Sequence, residues 1–185
     1  MHVGEAALAP LRERFGDPAP LAWESEVGEQ EFALAGFNPR RRHDFTFFVF
    51  NRDRLALIEK PQYPPEIWRP PGGGVRAGED VVEGIRREAL EELGVEIQLE
   101  RYLVASEAVF RFGGETIEWR THVVSARTAD EELAPQDTVE ISGARWGTLE
   151  ELGGPLRERL LGTGRALWRY RVALHDAATS ALLVE

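Results

Sequence analysis

The chain has 185 residues, enough for one well-buried domain with an extension and too few for two full-sized ones. Its 43% apolar and 29% charged content is that of an ordinary globular protein, and no apolar run approaches the roughly 20 residues that span a bilayer. A formal charge of −10 argues against a general nucleic-acid binder, because tracking phosphates needs a basic field, and the absence of cysteine excludes disulfides and suits a reducing cytosol. We therefore expect a cytoplasmic protein that uses neither a membrane nor a nucleic acid as partner.

At the N-terminus, Val3, Ala6, Ala7, Leu11 and Phe15 fall near one side of a short amphipathic helix, with acids among the arginines where a signal peptide would need an apolar core. Asp17, Pro18 and Pro20 break it. Residues 21 to 37 alternate in part, and Gly28 is expected to mark a turn between two short strands. Residues 1–38 thus read as an extension that packs over one edge of a domain at 39–185, pairs protomers in a homodimer, or roofs a substrate site. The following run, Arg40-Arg41-Arg42-His43, either meets a phosphate or decorates a solvated loop or sheet edge. Phe45 to Phe50 and Leu55 to Ile58 predict two strands joined at Asn51 to Arg54, the first buried on both faces. Prolines exclude regular structure from Pro61 to Pro71. Tyr63 and Trp68 within it serve either as a base-stacking wall or, for Trp68 above all, as core. Arg69, Tyr63, Trp68 and Arg42 are the candidate substrate contacts.

From Arg69 to Ile97 a glycine loop feeds an acidic helix: Gly73, five residues, Glu79, seven residues, then Arg87, Glu88, Glu91, Glu92 and Gly94. On a helix turning 100° per residue, Glu88, Glu91 and Glu92 share an arc of about 100°, beside the apolar side of Val82, Ile85, Ala89 and Leu93. Three like charges so placed cost stability unless a cation sits among them, and hard Mg2+ or Mn2+ suits an all-oxygen set. Without histidine or thiolate in the cluster, zinc is not expected. Glycines at 72 to 74 let the backbone approach a ligand closely. A Glu83–Arg87–Glu91 ladder would suit any exposed helix but leaves Glu88 and Glu92 unexplained.

This stretch resembles the Nudix box, G-x5-E-x7-R-E-U-x-E-E-x-G-U, departing only at Ala89, where a bulky apolar residue is usual. Seven specified positions make a chance match in one window about 10⁻⁸. The resemblance implies an α/β fold, a layered α/β/α sandwich with a central mixed sheet. It implies metal-dependent hydrolysis of a diphosphate linkage in a nucleoside diphosphate derivative such as a nucleotide sugar, an ADP-ribose-like compound or a nucleoside triphosphate. Glu88, Glu91 and Glu92 would then hold metal together with the Gly72 carbonyl, and Arg87 would orient them, in part through Glu79. The general base would be Glu88 or an acid of a later loop, Glu132, Asp137 or, foremost, Glu140. The alternative within the same fold is a nucleotide-binding regulatory module without turnover.

Downstream, residues 99–112 and 116–127 predict paired strands joined across Gly113-Gly114-Glu115, followed by a polar loop at 128–140. Ala144 to Trp146 and Leu149 to Leu152 resemble the family's late strand and short helix. Two helical pieces follow from Pro155, separated around Gly162 and Gly164. Short strings that mark Nudix subfamilies about sixteen residues past the box, a proline, a tyrosine or an SQPWPFP-like run, would fall near Phe110, Arg111 and Phe112, and none is present.

Overall fold

The apolar run at 45–50 becomes the strand His43–Asn51 (β2), and it is buried on both faces as its composition predicts: Phe45, Phe47 and Val49 enter one core, Phe48 and Phe50 the other. The computed structural model describes residues 3–38 and 42–184. The other strands are β1 (Ala19–Glu26), β3 (Arg54–Glu59), β4 (Gln98–Phe112), β5 (Glu115–Arg127) and β6 (Gly143–Gly147), in the order β1-β4-β5-β2-β3-β6. Pairing is parallel between β1 and β4 and between β2 and β5, and antiparallel elsewhere, so the sheet is mixed.

Helices cover both faces. On one lie α1 (Glu5–Phe15) and α3 (Val81–Leu93), whose Leu8, Leu11, Ile85 and Leu93 are buried against Phe45, Phe47 and Ile58. On the other lie α4 (Leu149–Gly153), α5 (Pro155–Gly162) and α6 (Ala166–Leu183), with Leu152, Leu156, Tyr170 and Leu174 packed on Phe48, Leu57 and Phe110. Each fully buried Leu, Ile or Phe stabilises the layers by about 1.5–3 kcal/mol. This is the layered α/β/α arrangement that the sequence implies. Among the described residues no helix is long and apolar enough to cross a membrane.

Two expectations for the first 38 residues need correction. The buried stripe of α1 is Leu8 and Leu11 with Phe15 beside them, whereas Ala6 and Ala7 are exposed. The expected second strand after Gly28 is a helix, α2 (Glu29–Gly36). Its residues, EQEFALAG, are mostly strong helix formers, and the Glu31 carboxylate accepts the Gly28 N–H at 3.4 Å, a capping contact that alternation alone does not register.

Helix α3 has defined ends. The Asp80 carboxylate accepts the N–H groups of Val82 and Glu83, and Gly94 closes the helix in the left-handed region at φ 70°. A Cβ at Gly94 would also lie 1.9 Å from the Ala134 carbonyl oxygen, so the loop at 128–140 rests on this turn.

Candidate active site

The β2–β3 hairpin pairs only near its turn, between Phe50–Asn51 and Arg54–Leu55, and then splays. The proline-rich segment fills the gap. Arg69 exchanges backbone hydrogen bonds with Ile58, while Phe47 and Phe45 donate to the carbonyls of Pro71 and Gly73 at 2.9 Å each. Prolines lack N–H groups but still accept, so the end of a segment read as irregular is held like a strand. The next residues pass very close to the box helix: a Cβ on Gly73 would sit 1.9 Å from a Glu88 carboxylate oxygen, and one on Gly72 would sit 2.3 Å from the Phe45 carbonyl. Glycine is required at both positions for the loop to lie there.

On the outer side of α3, Arg87 is the hub. Its guanidinium grips Glu79 through two nitrogens at 2.8 and 3.0 Å, and donates to Glu88 at 2.9 Å, Glu91 at 2.8 Å and the Gly74 carbonyl at 3.1 Å. Glu83, the other partner the spacing offered, pairs with Arg86 instead. The Arg87 hydrogen bonds, aided by the Arg76 N–H and opposed by burial, hold the Glu79 carboxyl at about 2. Glu88 is pushed the other way: burial, with repulsion from Glu92 and Glu91, outweighs Arg87 and raises it above the usual carboxylate range.

On the inner side, Glu92 is 3% exposed and Lys60, the last residue before the proline-rich segment, is 8% exposed. Lys60 Nζ lies 2.7 Å from Glu92 Oε1 and 3.1 Å from Glu140, and the Gly72 N–H donates to Glu92 Oε2 at 2.7 Å. Burial pulls the Lys60 ammonium down, but the attraction and hydrogen bond of Glu92 leave it above its ordinary range. Glu140 arrives here by a specific route. The N–H of Ala134 donates to the Leu93 carbonyl, and those of Gln136 and Asp137 donate to the Glu91 carbonyl, so the loop satisfies the open C-terminal end of α3. The Asp137 carboxylate then accepts the N–H groups of Val139 and Glu140, turning the chain toward Lys60. Of the three later acids, Glu140 joins the box, Asp137 shapes the turn, and Glu132 is exposed.

Among the described residues no three acidic or histidine side chains converge as a preformed ion cage, because the box carboxylates face Arg87 and Lys60. The donors still suit a hard divalent ion. They are all oxygens, and Glu88 is crowded by like charges from Glu91 and Glu92, a repulsion that an added cation would relieve.

A cavity of about 320 Å³ opens beside Gly72 and Lys60. Tyr63 and Arg69 line it from the proline-rich segment, Leu34 from α2, and Trp168 and Arg171 from α6. Tyr63 and Trp168 meet edge to face at 5.0 Å, and Arg69 donates to the Tyr63 hydroxyl at 2.6 Å. Arg171 donates to Thr46 Oγ1 at 2.8 Å and approaches Asp44 at 3.4 Å.

The sequence-level candidates divide. Tyr63 and Arg69 face the cavity. Trp68 does not line it: as neighbour of the strand-like Arg69 it lies on the opposite side, with the Arg145 guanidinium 4.8 Å over its ring and Gly143 against its edge. Arg42 reaches the Ala35 carbonyl at 3.4 Å and does not itself line the cavity, and Arg40 and Arg41 lie outside the described residues. Lys60, Trp168 and Arg171 are site residues that the sequence reading missed. A lysine closing the apolar strand Leu55 to Ile58 was a usable signal for the first, whereas nothing local marks the other two.

Residues 39–166 match the family model described as NUDIX domain. The chain is 30% identical over 114 residues to the NAD-capped RNA hydrolase NudC of Stutzerimonas stutzeri, an alignment that covers 62% of this chain and 39% of that protein. It is 29% identical over 114 residues to the NudC of Pseudomonas aeruginosa, so it spans about two fifths of the length of these curated relatives. Among solved structures it is similar to a MutT protein from Bacillus halodurans, with 24% identity, a TM-score of 0.48, and 60% of this chain and 71% of that chain covered.

Proposed function

The chain belongs to the NUDIX domain family, and from that membership we propose that it hydrolyses a diphosphate linkage in a nucleoside diphosphate derivative with the help of Mg2+ or Mn2+. The observation that carries this reading is the junction at Gly72 and Lys60, where the cavity meets the box glutamates. Glu88, Glu91 and Glu92, with the Gly72 carbonyl, are the residues that would hold the ion. When bound, such an ion supplies charge neutralisation on phosphate oxygens and a more acidic water. Arg87 fixes the orientation of Glu88 and Glu91. Lys60 and Arg69 present positive charge to the phosphates at the cavity floor. Glu88 is the first choice to take the proton from water, since it stands beside the glycine loop with Arg87 orienting its carboxylate. Glu140, reaching the same Lys60, is the reserve.

The curated relatives carry RNA in their names, but a chain of net charge −10 is poorly suited to following an RNA backbone, and we assign a small free nucleotide as substrate. The hydrolytic domain is assigned to residues 39–185 and the extension to residues 1–38, with a cytoplasmic location suited to the cysteine-free composition. The test is nucleotide release with Mg2+ across ADP-ribose, UDP-glucose, NADH, nucleoside triphosphates and NAD-capped RNA. One class of small nucleotide should turn over, and Glu92→Gln should lower its turnover at least about a hundredfold. Binding without turnover, unchanged in Glu92→Gln, would instead establish a regulatory module.

A further inference from the structure

The family match ends at residue 166, yet two of the residues lining the cavity beside the box, Trp168 and Arg171, come from α6 beyond that limit. Another, Leu34, comes from α2 ahead of the match at residue 39. Segments outside the matched stretch therefore contribute to the cavity wall together with Tyr63 from inside it. Resting on the hydrolase reading above, we propose that Trp168, with Tyr63, is the aromatic wall that seats the nucleobase of the substrate, and that α6 thereby sets substrate choice.

The lining has the chemistry for this. Tyr63 and Trp168 meet edge to face, which braces both rings, and both are only half-buried, so aromatic surface is left for a ligand. Leu34 adds exposed apolar surface to the lining. The two carboxylates in the lining brace the wall: Glu31 takes the Leu167 N–H at 2.9 Å, and Asp44 takes the Thr121 hydroxyl at 2.5 Å and the Trp119 indole at 3.2 Å. Gln62 is the single side-chain amide in the lining. The half-exposed rings of Tyr63 and Trp168 are the part of this lining that a flat ring would meet. The cations lie where the diphosphate must be: Arg69, 6% exposed, makes no ion pair among the described residues, its guanidinium meeting the Tyr63 hydroxyl and the Pro70 carbonyl. A buried guanidinium served only by neutral acceptors is a prepared anion contact. Arg69 bonds to the Tyr63 hydroxyl, so the phosphate contact and the aromatic wall are one unit.

The experiment uses the full chain with Mg2+ and compares wild type, Trp168→Ala and Trp168→Phe on the best nucleotide of the panel and on 5-phosphoribosyl diphosphate, which carries a diphosphate but no base. Trp168→Ala should raise KM for the nucleotide about tenfold or more with kcat within about twofold. Trp168→Phe should restore most of the KM, and the base-free compound should be handled alike by all three proteins. An unchanged KM in Trp168→Ala, or an equal rise for the base-free compound, overturns the assignment while leaving the hydrolase reading intact. If the wild type hydrolyses nothing, calorimetric titration with ADP decides instead. Binding weakened at least tenfold in Trp168→Ala and recovered in Trp168→Phe supports the wall, and equal binding, or none in the wild type, overturns it. Circular dichroism of the three proteins guards against misfolding.

Discussion

The two sides of the box helix hold their carboxylates by different means. On the outer side, Arg87 gathers Glu79, Glu88 and Glu91, all within eight residues of it in sequence, in a half-buried network reached by solvent. On the inner side, Lys60 reaches Glu92 and Glu140, 32 and 80 residues away, with Lys60 and Glu92 both buried. The outer network is local, redundant and screened, whereas the inner one is long-range and desolvated, so each partner depends on the other. The same pairing of cation with glutamate thus orients ligands on one side and ties three distant segments together on the other.

Removing each cation separates the two cases. Lys60→Met should cost about 3–5 kcal/mol in urea denaturation because it leaves the buried Glu92 carboxylate without its cation, and adding Glu92→Leu should recover much of that loss. A cost below about 1 kcal/mol for the single change would mean that the inner pair does not hold the segments. Arg87→Gln should cost less, about 1–2 kcal/mol, by leaving three glutamates facing one another. Its deficit should shrink in high salt, which screens exposed repulsion, while that of Lys60→Met should not. Equal salt responses would erase the distinction.

The smallest effect concerns acid. The folded Glu79 carboxyl, at about 2, lies below the 4.5 of a free glutamate, so its contribution is complete above 4.5 and is lost as pH falls through 2. Because the pair is solvent-accessible, it is worth less than about 1 kcal/mol. Stability of wild type over Glu79→Gln should therefore be constant near neutrality and vanish between about pH 4.5 and 2, as read by thermal unfolding at a series of pH values. A difference independent of pH would assign Glu79 a packing role only.

This division also explains what was legible in the sequence. Much that is local was: the β2–β3 and β4–β5 hairpins, the box helix with its buried Ile85 and Leu93, and the helical pieces after Pro155, whereas the Arg87–Glu79 grip came through resemblance because the spacing alone offered Glu83 or Glu91. The inner side was legible only through resemblance, which pointed to Glu92 and Glu140 but not to the lysine between them. The cavity was scarcely legible, since Tyr63 and Trp168 meet across 105 residues and no period connects them. Trp68 packs against the core, the reading favoured for it, and its side of the chain is set by the pairing of Arg69 with Ile58, an isolated bridge that prolines hide from pattern reading. Gly28 misled because a glycine before a helix and a glycine between strands look alike until the Glu31 contact is seen.

The loop at 128–140 has a consequence for the length of the chain. Surface loops ordinarily absorb insertions, but this one is held from its opening, where Asn51 donates to the Asp130 carbonyl at 2.9 Å and the Trp146 indole to the Glu131 carbonyl at 2.8 Å. Beyond it, Ala134, Gln136 and Asp137 are fastened to the last carbonyls of α3, and three residues later Glu140 must meet Lys60. That closing half is a ruler laid between a helix end and a lysine, and one residue added to it would displace the acid it measures out.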